Sequence, residues 1–312
     1  MKKRVLITGG AGFIGSHLAE YWCSENAEVV VLDNLRTGSE ANIQHLKSIE
    51  FIKKSITDKE VVFSITKGVD YIYNLAALVS VPESVENPFE CVSINVNGIL
   101  NLLEAAKINN VKKVIHFSSA AVYGDNPASP KTTKMKPEPK SPYGITKLDG
   151  EYYLNQYFES FGINTLSFRC FNVFGPRQNP KSQYAAAIPI FVSKALRNEN
   201  LVIYGDGEQT RDFIFVKDVV KANAIAAEKE DVTGVFNLGT GTSISINELV
   251  KMIIGLTGSK SKIVYEPERP GDIKHSLASI SDTTEQLGFT PTYDLKAGVE
   301  QTIRYFIELF NR

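Results

Sequence analysis

Cysteine is scarce in this chain, with three among 312 residues: Cys23, Cys91 and Cys170. They stand far apart, are odd in number and match neither metal-ligand nor paired-disulfide spacing. That excludes a disulfide framework, points to a reducing cytoplasmic compartment and leaves the thiols as buried hydrophobes. Histidine is thin as well, and His17, His45, His116 and His275 show no ligand spacing, so no metal centre is expected. An excess of one charge is missing: 34 basic residues stand against 35 acidic ones. With no field to meet a phosphate backbone, nucleic acid is not an expected partner. Internal repeats and long apolar runs are missing too. The opening MKKRVLITGG imitates a secretion signal in its basic residues, yet its apolar run is short and ends in glycines, well below the about twenty residues that span a bilayer. The reading left is a soluble protein with no membrane partner, acting on a small ligand.

What is present is alternation. Val5 to Ile7, Val29 to Leu32, Tyr71 to Leu75, Val114 to Phe117 and Thr165 to Phe168 are short β-rich runs, separated by longer segments of helical period. Gly15 to Ser24 reads as a helix, and so does Val96 to Asn109, where Val96, Ile99, Leu100, Leu103 and Ala106 recur at helical intervals. The expected fold is α/β, a doubly wound parallel sheet buried on both faces. The proline- and lysine-rich segment from Gly124 to Pro142 reads as a solvated surface loop. After Phe171 the alternation fades, which predicts a second region with a different task.

The densest signal is LITGGAGFIGSH, with Gly10-x-Gly12-x-x-Gly15 between a predicted strand and a predicted helix. In that context glycines allow a tight turn and close backbone approach, and the helix N-terminus attracts a pyrophosphate. Asp33, after the second strand, is placed to accept from adenosine ribose hydroxyls. A carboxylate there repels a 2′-phosphate, so NAD is expected over NADP, with nearby Arg36 the feature pulling the other way. In SPYGITK, Tyr143 and Lys147 stand four apart at the start of a predicted helix, with Pro142 suited to its first turn. An ammonium beside a phenol favours the phenolate, and NAD⁺ adds positive charge, so Tyr143 is the expected base. HFSSAAVYG ends what reads as the fourth strand and presents Ser119 at the C-terminal edge, where ligands of open parallel sheets sit.

These stretches, together with Thr8-Gly9-x-x-Gly12-x-x-Gly15, resemble the extended short-chain dehydrogenase/reductase superfamily. The resemblance runs over essentially the whole chain, and its second half is similar to nucleotide-sugar epimerases, most of all UDP-N-acetylglucosamine and UDP-glucose 4-epimerases. It implies a Rossmann-type NAD domain over residues 1–170, rejoined near 212–238, and a smaller UDP-sugar region over 171–312. Around NAD it implies Gly9, Gly12, Phe13, Ile14 and Gly15 in the glycine loop, and Asp33, Asn34, Leu35, Thr37 and Gly38 at the adenosine ribose. Ser55 and Ile56 fall at the adenine, where many relatives have Asp-Ile. Leu75, Ala76 and Ala77 fall by the nicotinamide half, with Asn95, Tyr143, Lys147 and Phe171. Ser119, Tyr143 and Lys147 are the implied catalytic set.

On the substrate side FRCFNVFGPRQNP implies Asn172 at the diphosphate, with Ala187 following. LVIYGDGEQTRDF implies Val202 and Tyr204 around uracil and Arg211 on phosphate, and ERPGDIKHS implies Arg269 on phosphate, Asp272 on the uridine ribose and Ser276 as a small gate by the sugar's C2 substituent. The implied reaction removes the 4′-hydroxyl proton and the C4′ hydrogen, lets the keto sugar swing about its diphosphate, and returns hydrogen to the other face. Strong hold on UDP with weak hold on the hexose is then a requirement. ALVSVPES and DIKHSL resemble enzymes of N-acetylated sugars. Ala120 and Ala121 stand where sugar dehydratases carry an acidic pair, which disfavours dehydration; Asn74 replaces a frequent histidine, and Val79 a lysine of some relatives. A UDP-glucuronate epimerase or decarboxylase, and an NAD-dependent sensor without turnover, remain alternatives. The apolar faces of Val96 to Asn109 and Tyr143 to Phe161 correspond to the pair that forms a homodimer in relatives.

Overall fold

β-branched runs in the first half of the chain lie side by side as parallel strands. The computed structural model describes residues 2–180, 187–268 and 274–311. The chain passes through β1 (Arg4–Thr8), α1 (Phe13–Ser24), β2 (Glu28–Leu32), β3 (Ile49–Ile52), α2 (Lys59–Ile65), β4 (Tyr71–Asn74), α3 (Val81–Glu86), α4 (Pro88–Val92), α5 (Gly98–Ile108), β5 (Lys113–Ser119), α6 (Pro142–Phe161) and β6 (Asn164–Cys170). It continues through β7 (Asn172–Phe174), α7 (Ala187–Leu196), β8 (Leu201–Tyr204), β9 (Thr210–Arg211), β10 (Phe213–Phe215), α8 (Val216–Glu228), β11 (Gly234–Leu238), β12 (Ile244–Ser245), α9 (Ile246–Thr257), β13 (Ile263–Glu266), β14 (His275–Ser276), α10 (Ser281–Leu287) and α11 (Leu295–Phe310). Seven of these strands form one parallel sheet in the order β11-β6-β5-β4-β1-β2-β3.

The period-2 pleat divides the sheet's apolar residues between two faces. Val5, Ile7, Val29, Val31, Tyr73 and Phe117 pack with Leu18 and Trp22 of α1 and with Val219 and Ala222 of α8. Their neighbours Leu6, Val30, Leu32, Ile72 and Val114 pack on the other face with α2, α5 and α6 through Val62, Ile99, Leu103 and Leu154. Continuous hydrophobic strands are the sequence image of that double burial. A further core joins Ile188, Leu201, Ile203, Phe215, Leu249, Val299 and Phe306 of the second half, while α8 and β11 return to the large sheet, β11 pairing with β6.

Three features depart from the sequence reading. β3 and β11 are strands that it lacks, so the strand ending at Ser119 is the fifth in chain order. The helix expected over Val96 to Asn109 begins as a π-turn over Ser93–Asn97 and is α-helical from Gly98. The segment after Gly124 is irregular but is more than a solvated connector. Lys131 is buried, its ammonium donates to the carbonyls of Asn126 and Ala128, and its backbone exchanges 2.8 Å bonds with Leu277 and Ser279. A buried ammonium needs such acceptors, and they tie the loop down. No helix among the described residues is long and apolar enough to cross a membrane.

Candidate functional site

The glycine loop, Asp33, Leu75 to Ala77 and Ser119 lie at the C-terminal ends of the parallel strands, beside the point where strand order reverses around β1. Gly9 follows β1 with φ +67°, and a Cβ there would stand 2.9 Å from the Ala76 amide nitrogen at the end of β4. A Cβ at Gly15 would meet the Gly9 carbonyl oxygen at 2.2 Å. Only glycine lets α1 pack this close to the loop. Gly12 caps α1 without a side-chain acceptor, no acidic residue lies in the first turn, and Phe13 and Ile14 are half-buried there. The first amides of α1 are therefore left to an anion.

Asp33 is buried and staples two loops together: Oδ2 accepts from the Ala11 amide at 3.0 Å and Oδ1 from the Leu35 amide at 2.7 Å. Burial pushes its carboxyl up from the usual range, and the amides of Leu35, Ala11 and Gly12 pull it back. Lone pairs remain on both oxygens for hydroxyl donors. The following loop is tight. Leu35 has φ +62°, the Asn34 side chain accepts from the Arg36 amide at 3.1 Å, and Gly38 lies so close that a Cβ would stand 2.9 Å from Asp33 Oδ2. Asn34 and Thr37 are exposed.

Not every expected contact survives as a side-chain contact. Ile56 is buried in the core against Gly98, its carbonyl accepts from Asn101 Nδ2 at 3.1 Å, and the Ser55 hydroxyl is engaged with Thr57 at 2.8 Å. Phe171 is buried beside Tyr123, its amide donating to Leu238. Asn95 is a brace: its Oδ1 accepts from the Leu78 amide at 2.8 Å and its Nδ2 donates to the Leu78 carbonyl and, at 2.9 Å, to Thr146 Oγ1. It ties the half-buried stretch Leu75, Ala76 and Ala77 to α6 through the π-turn.

Ser119, Tyr143 and Lys147 come together where β5 meets α6. Ser141 caps α6 by accepting from the Gly144 amide at 3.1 Å, Pro142 opens it, and the buried Ser84 hydroxyl of α3 accepts from the Tyr143 amide at 3.1 Å. One turn on, Lys147 Nζ donates to the Phe117 carbonyl at 2.6 Å and lies 5.9 Å from the centre of the Tyr143 ring. The Ser119 hydroxyl, which accepts from the Ala121 amide at 3.1 Å, draws the phenol down. Burial is the largest influence on the phenol, and the expectation of a phenolate counts on the added charge of NAD⁺ to oppose it. The phenol is pushed up to about 12, against the pull of Ser119. Burial likewise brings Lys147 down to about 8.

Beneath this set runs a polar network that sequence reasoning missed. Glu151, one turn beyond Lys147, takes a two-pronged ion pair from Arg169 of β6 at 2.9 and 2.7 Å and a 2.5 Å bond from the Ser118 hydroxyl, all buried. Arg169 also lies 4.8 Å from the ring of Tyr123, whose hydroxyl donates to Asn237 at 2.6 Å. His116 is buried with its Nε2 against Gly150, where a Cβ would stand at 2.7 Å, and burial holds it well below the usual histidine range.

On the second-half side, Ser119 is in register with Cys170, two residues before Asn172, whose Nδ2 donates to the Asp212 carbonyl at 2.8 Å. Val202 and Tyr204 alternate with buried Leu201 and Ile203 and share one half-buried face of β8. Arg211 pairs in register with Ser276 and donates to the Thr210 carbonyl at 2.9 Å. Ala187 opens α7, half-buried. Arg269 and Asp272 lie outside the described residues. Asp212, not foreseen, is fully buried and accepts from the amides of Thr240, Gly241 and Ala278 and from the Thr240 hydroxyl, which fixes the loop after β11. No group of three or more potential metal ligands occurs among the described residues.

Residues 5–239 match the NAD dependent epimerase/dehydratase family. A UDP-glucose 4-epimerase from Mycolicibacterium smegmatis is 36% identical over 97% of this chain and 98% of its own length. Among solved structures, the UDP-N-acetylglucosamine 4-epimerase from Methanobrevibacter ruminantium M1 in complex with UDP-N-acetylmuramic acid superposes with a TM-score of 0.95 at 43% identity, covering 99% of this chain and 100% of that one. The Thermus thermophilus UDP-glucose 4-epimerase in complex with NAD gives 0.89 at 35% identity, over 97% and 99% of the two chains. Decarboxylases of UDP-linked uronates are also among the relatives.

Proposed function

The chain belongs to the NAD-dependent epimerase/dehydratase family, and on that premise we propose that it is a UDP-sugar 4-epimerase. Its proposed substrates are the UDP-N-acetylglucosamine/UDP-N-acetylgalactosamine pair and, besides it, UDP-glucose/UDP-galactose. The observation that carries this reading is the convergence of Ser119, Tyr143 and Lys147 at the sheet edge that also holds the glycine loop. That loop fits NAD: a cradle without side chains, a helix start with amides to spare, and Asp33 with acceptor capacity left for ribose hydroxyls. When bound, NAD supplies the oxidant that turns the C4′ carbinol into a ketone and the reductant that turns it back.

The chain's own groups handle the proton. Tyr143 Oη takes it from the 4′-hydroxyl, directly or through Ser119, and gives it back to the same oxygen when hydrogen returns to the opposite face of C4′. Oxidised nicotinamide is cationic, so seating it beside Tyr143 opposes the burial that holds the phenol up near 12. Lys147, fixed on the Phe117 carbonyl, orients and supports the phenolate. Asn172 and Arg211 hold the diphosphate, and Val202 and Tyr204 flank uracil. Arg269 and Asp272 add phosphate and ribose contacts, while the hexose is held weakly enough to turn over. Small Ser276, opposite Arg211, leaves room for an acetamido group. The N-acetylated ligand of the Methanobrevibacter ruminantium relative supports that choice.

Ala120 and Ala121 occupy the turn after Ser119, with no carboxylate to serve dehydration or decarboxylation. Separate incubations with UDP-N-acetylglucosamine, UDP-glucose and UDP-glucuronate, resolved by chromatography, test the reading. The 4-epimers of the first two are expected, and conversion of the glucuronate alone overturns it. Tyr143→Phe is expected to cut turnover by about 10²–10⁴-fold while UDP-sugar binding persists. Full turnover in that variant removes Tyr143 as the base. The proposed assembly is a homodimer through α5 and α6, whose outer faces expose Ile108, Ile145, Tyr152, Phe158 and Phe161.

A further inference from the structure

Arg36 sits three residues beyond Asp33, in the loop assigned above to the adenosine ribose. A guanidinium at such a position is the group that accepts a 2′-phosphate. Here it is already spoken for. Nη1 and Nη2 both engage the Glu90 carboxylate of α4, Nη2 at 3.0 Å from Oε2, and Nη2 also meets Glu83 Oε1 of α3 at 2.7 Å. The Glu90 contact is a fork-to-fork pairing, the stronger and more directional form of an ion pair. The cluster holds one positive charge against the negative charges of Glu83, Glu90 and, at the root of the loop, Asp33.

The backbone reinforces the arrangement. Leu35 is held at φ +62° by the Asp33 and Asn34 side chains, which accept from the amides of Leu35 and Arg36. The guanidinium is thus carried across to α3 and α4 by a loop whose shape is fixed at its base. Glu83 and Glu90 both draw the Arg36 proton affinity up, in keeping with a committed cation.

We propose that Glu83 and Glu90 select the dinucleotide: by holding Arg36 they withdraw the cation that would welcome a 2′-phosphate and leave Asp33 to repel it. The proposal rests on the reading of this loop as the seat of NAD. Releasing Arg36 should therefore admit NADPH, and removing it as well should close the site again.

The test compares the purified protein with Glu83→Gln/Glu90→Gln and with the same pair plus Arg36→Gln. Each is equilibrated at low salt with excess equimolar NADH and NADPH until the recovered ratio stops changing, freed of unbound cofactor by gel filtration, and denatured to release what it kept for chromatography. The double variant is expected to raise the NADPH:NADH ratio about tenfold, the scale of one charge-assisted hydrogen bond. Adding Arg36→Gln should return the ratio to that of the parent. A double variant within twofold of the parent overturns the proposal. So does a triple variant that matches the double, because loss of negative charge alone would then explain the gain. A parent that retains neither dinucleotide overturns the cofactor seat itself, and this inference with it.

Discussion

A Cβ added at Gly15 would stand 2.2 Å from the Gly9 carbonyl oxygen and 2.7 Å from the Gly10 Cα, so Gly15→Ala must push α1 off the loop. Overpacking of this kind costs about 1–3 kcal/mol. The expected result is a lower melting temperature and little NAD recovered from the purified, denatured variant. His17 supports a second prediction. Burial, then Arg177, brings it down to about 4, with its Nε2 3.0 Å from the Pro176 carbonyl. The folded chain thus binds fewer protons than the unfolded one between the ordinary value of 6.5 and about 4. Its stability contribution is complete above 6.5 and is lost as pH falls through 4. Urea unfolding at pH 7 and pH 4.5 should show His17→Gln losing about 2–3 kcal/mol less than the parent over that interval. At this scale the sequence displays what depends on spacing: the glycines, Asp33, and Tyr143 with Lys147 one helical turn apart. It hides what depends on register. Glu151 and Arg169 become partners only because α6 lies against β6, and Asp212 becomes a clamp only where β11 and the segment at Ala278 arrive together.

Helix α3 has six residues and does two things at once: Glu83 engages Arg36, and Ser84 holds the first turn of α6 through the Tyr143 amide. Ser84→Ala leaves that amide without its acceptor, a loss of about 1 kcal/mol. If the helix positions the phenol, kcat falls roughly fivefold with KM for the UDP-sugar unchanged; a rise in KM alone contradicts this role. Elements were legible in proportion to their burial. β1, β2, β4, β5 and β6 announce themselves as short β-rich runs because helices cover both faces. β3 pairs with β2 at the sheet edge and β11 begins at exposed Gly234, so neither carries such a run. The π-turn before α5 inserts a residue into a helical period and is invisible to a 3.6-residue pattern, yet it carries the brace Asn95.

For the molecule as a whole, the outer faces of α5 and α6 present large apolar groups to solvent, Tyr152 and Ile108 about 60% exposed. Patches of this kind mark contact surfaces. Tyr152→Glu/Phe158→Glu is expected to halve the mass seen by light scattering and to lower the melting temperature at a given protein concentration. An unchanged mass removes this face as the dimer contact. The second half of the chain was legible mainly by resemblance, because its short strands pair across long gaps, as β9 does with β12 and β14, and no local pattern encodes such meetings. The stapling of two loops by Asp33 has a consequence for the life of the holoenzyme. Because the chain's own amides and Asp33 hold these loops together, the coenzyme itself has little ordering of them to supply. On the proposed reaction the coenzyme is then expected to stay from one turnover to the next, and the rate to be insulated from the ratio of oxidised to reduced nicotinamide in the surroundings.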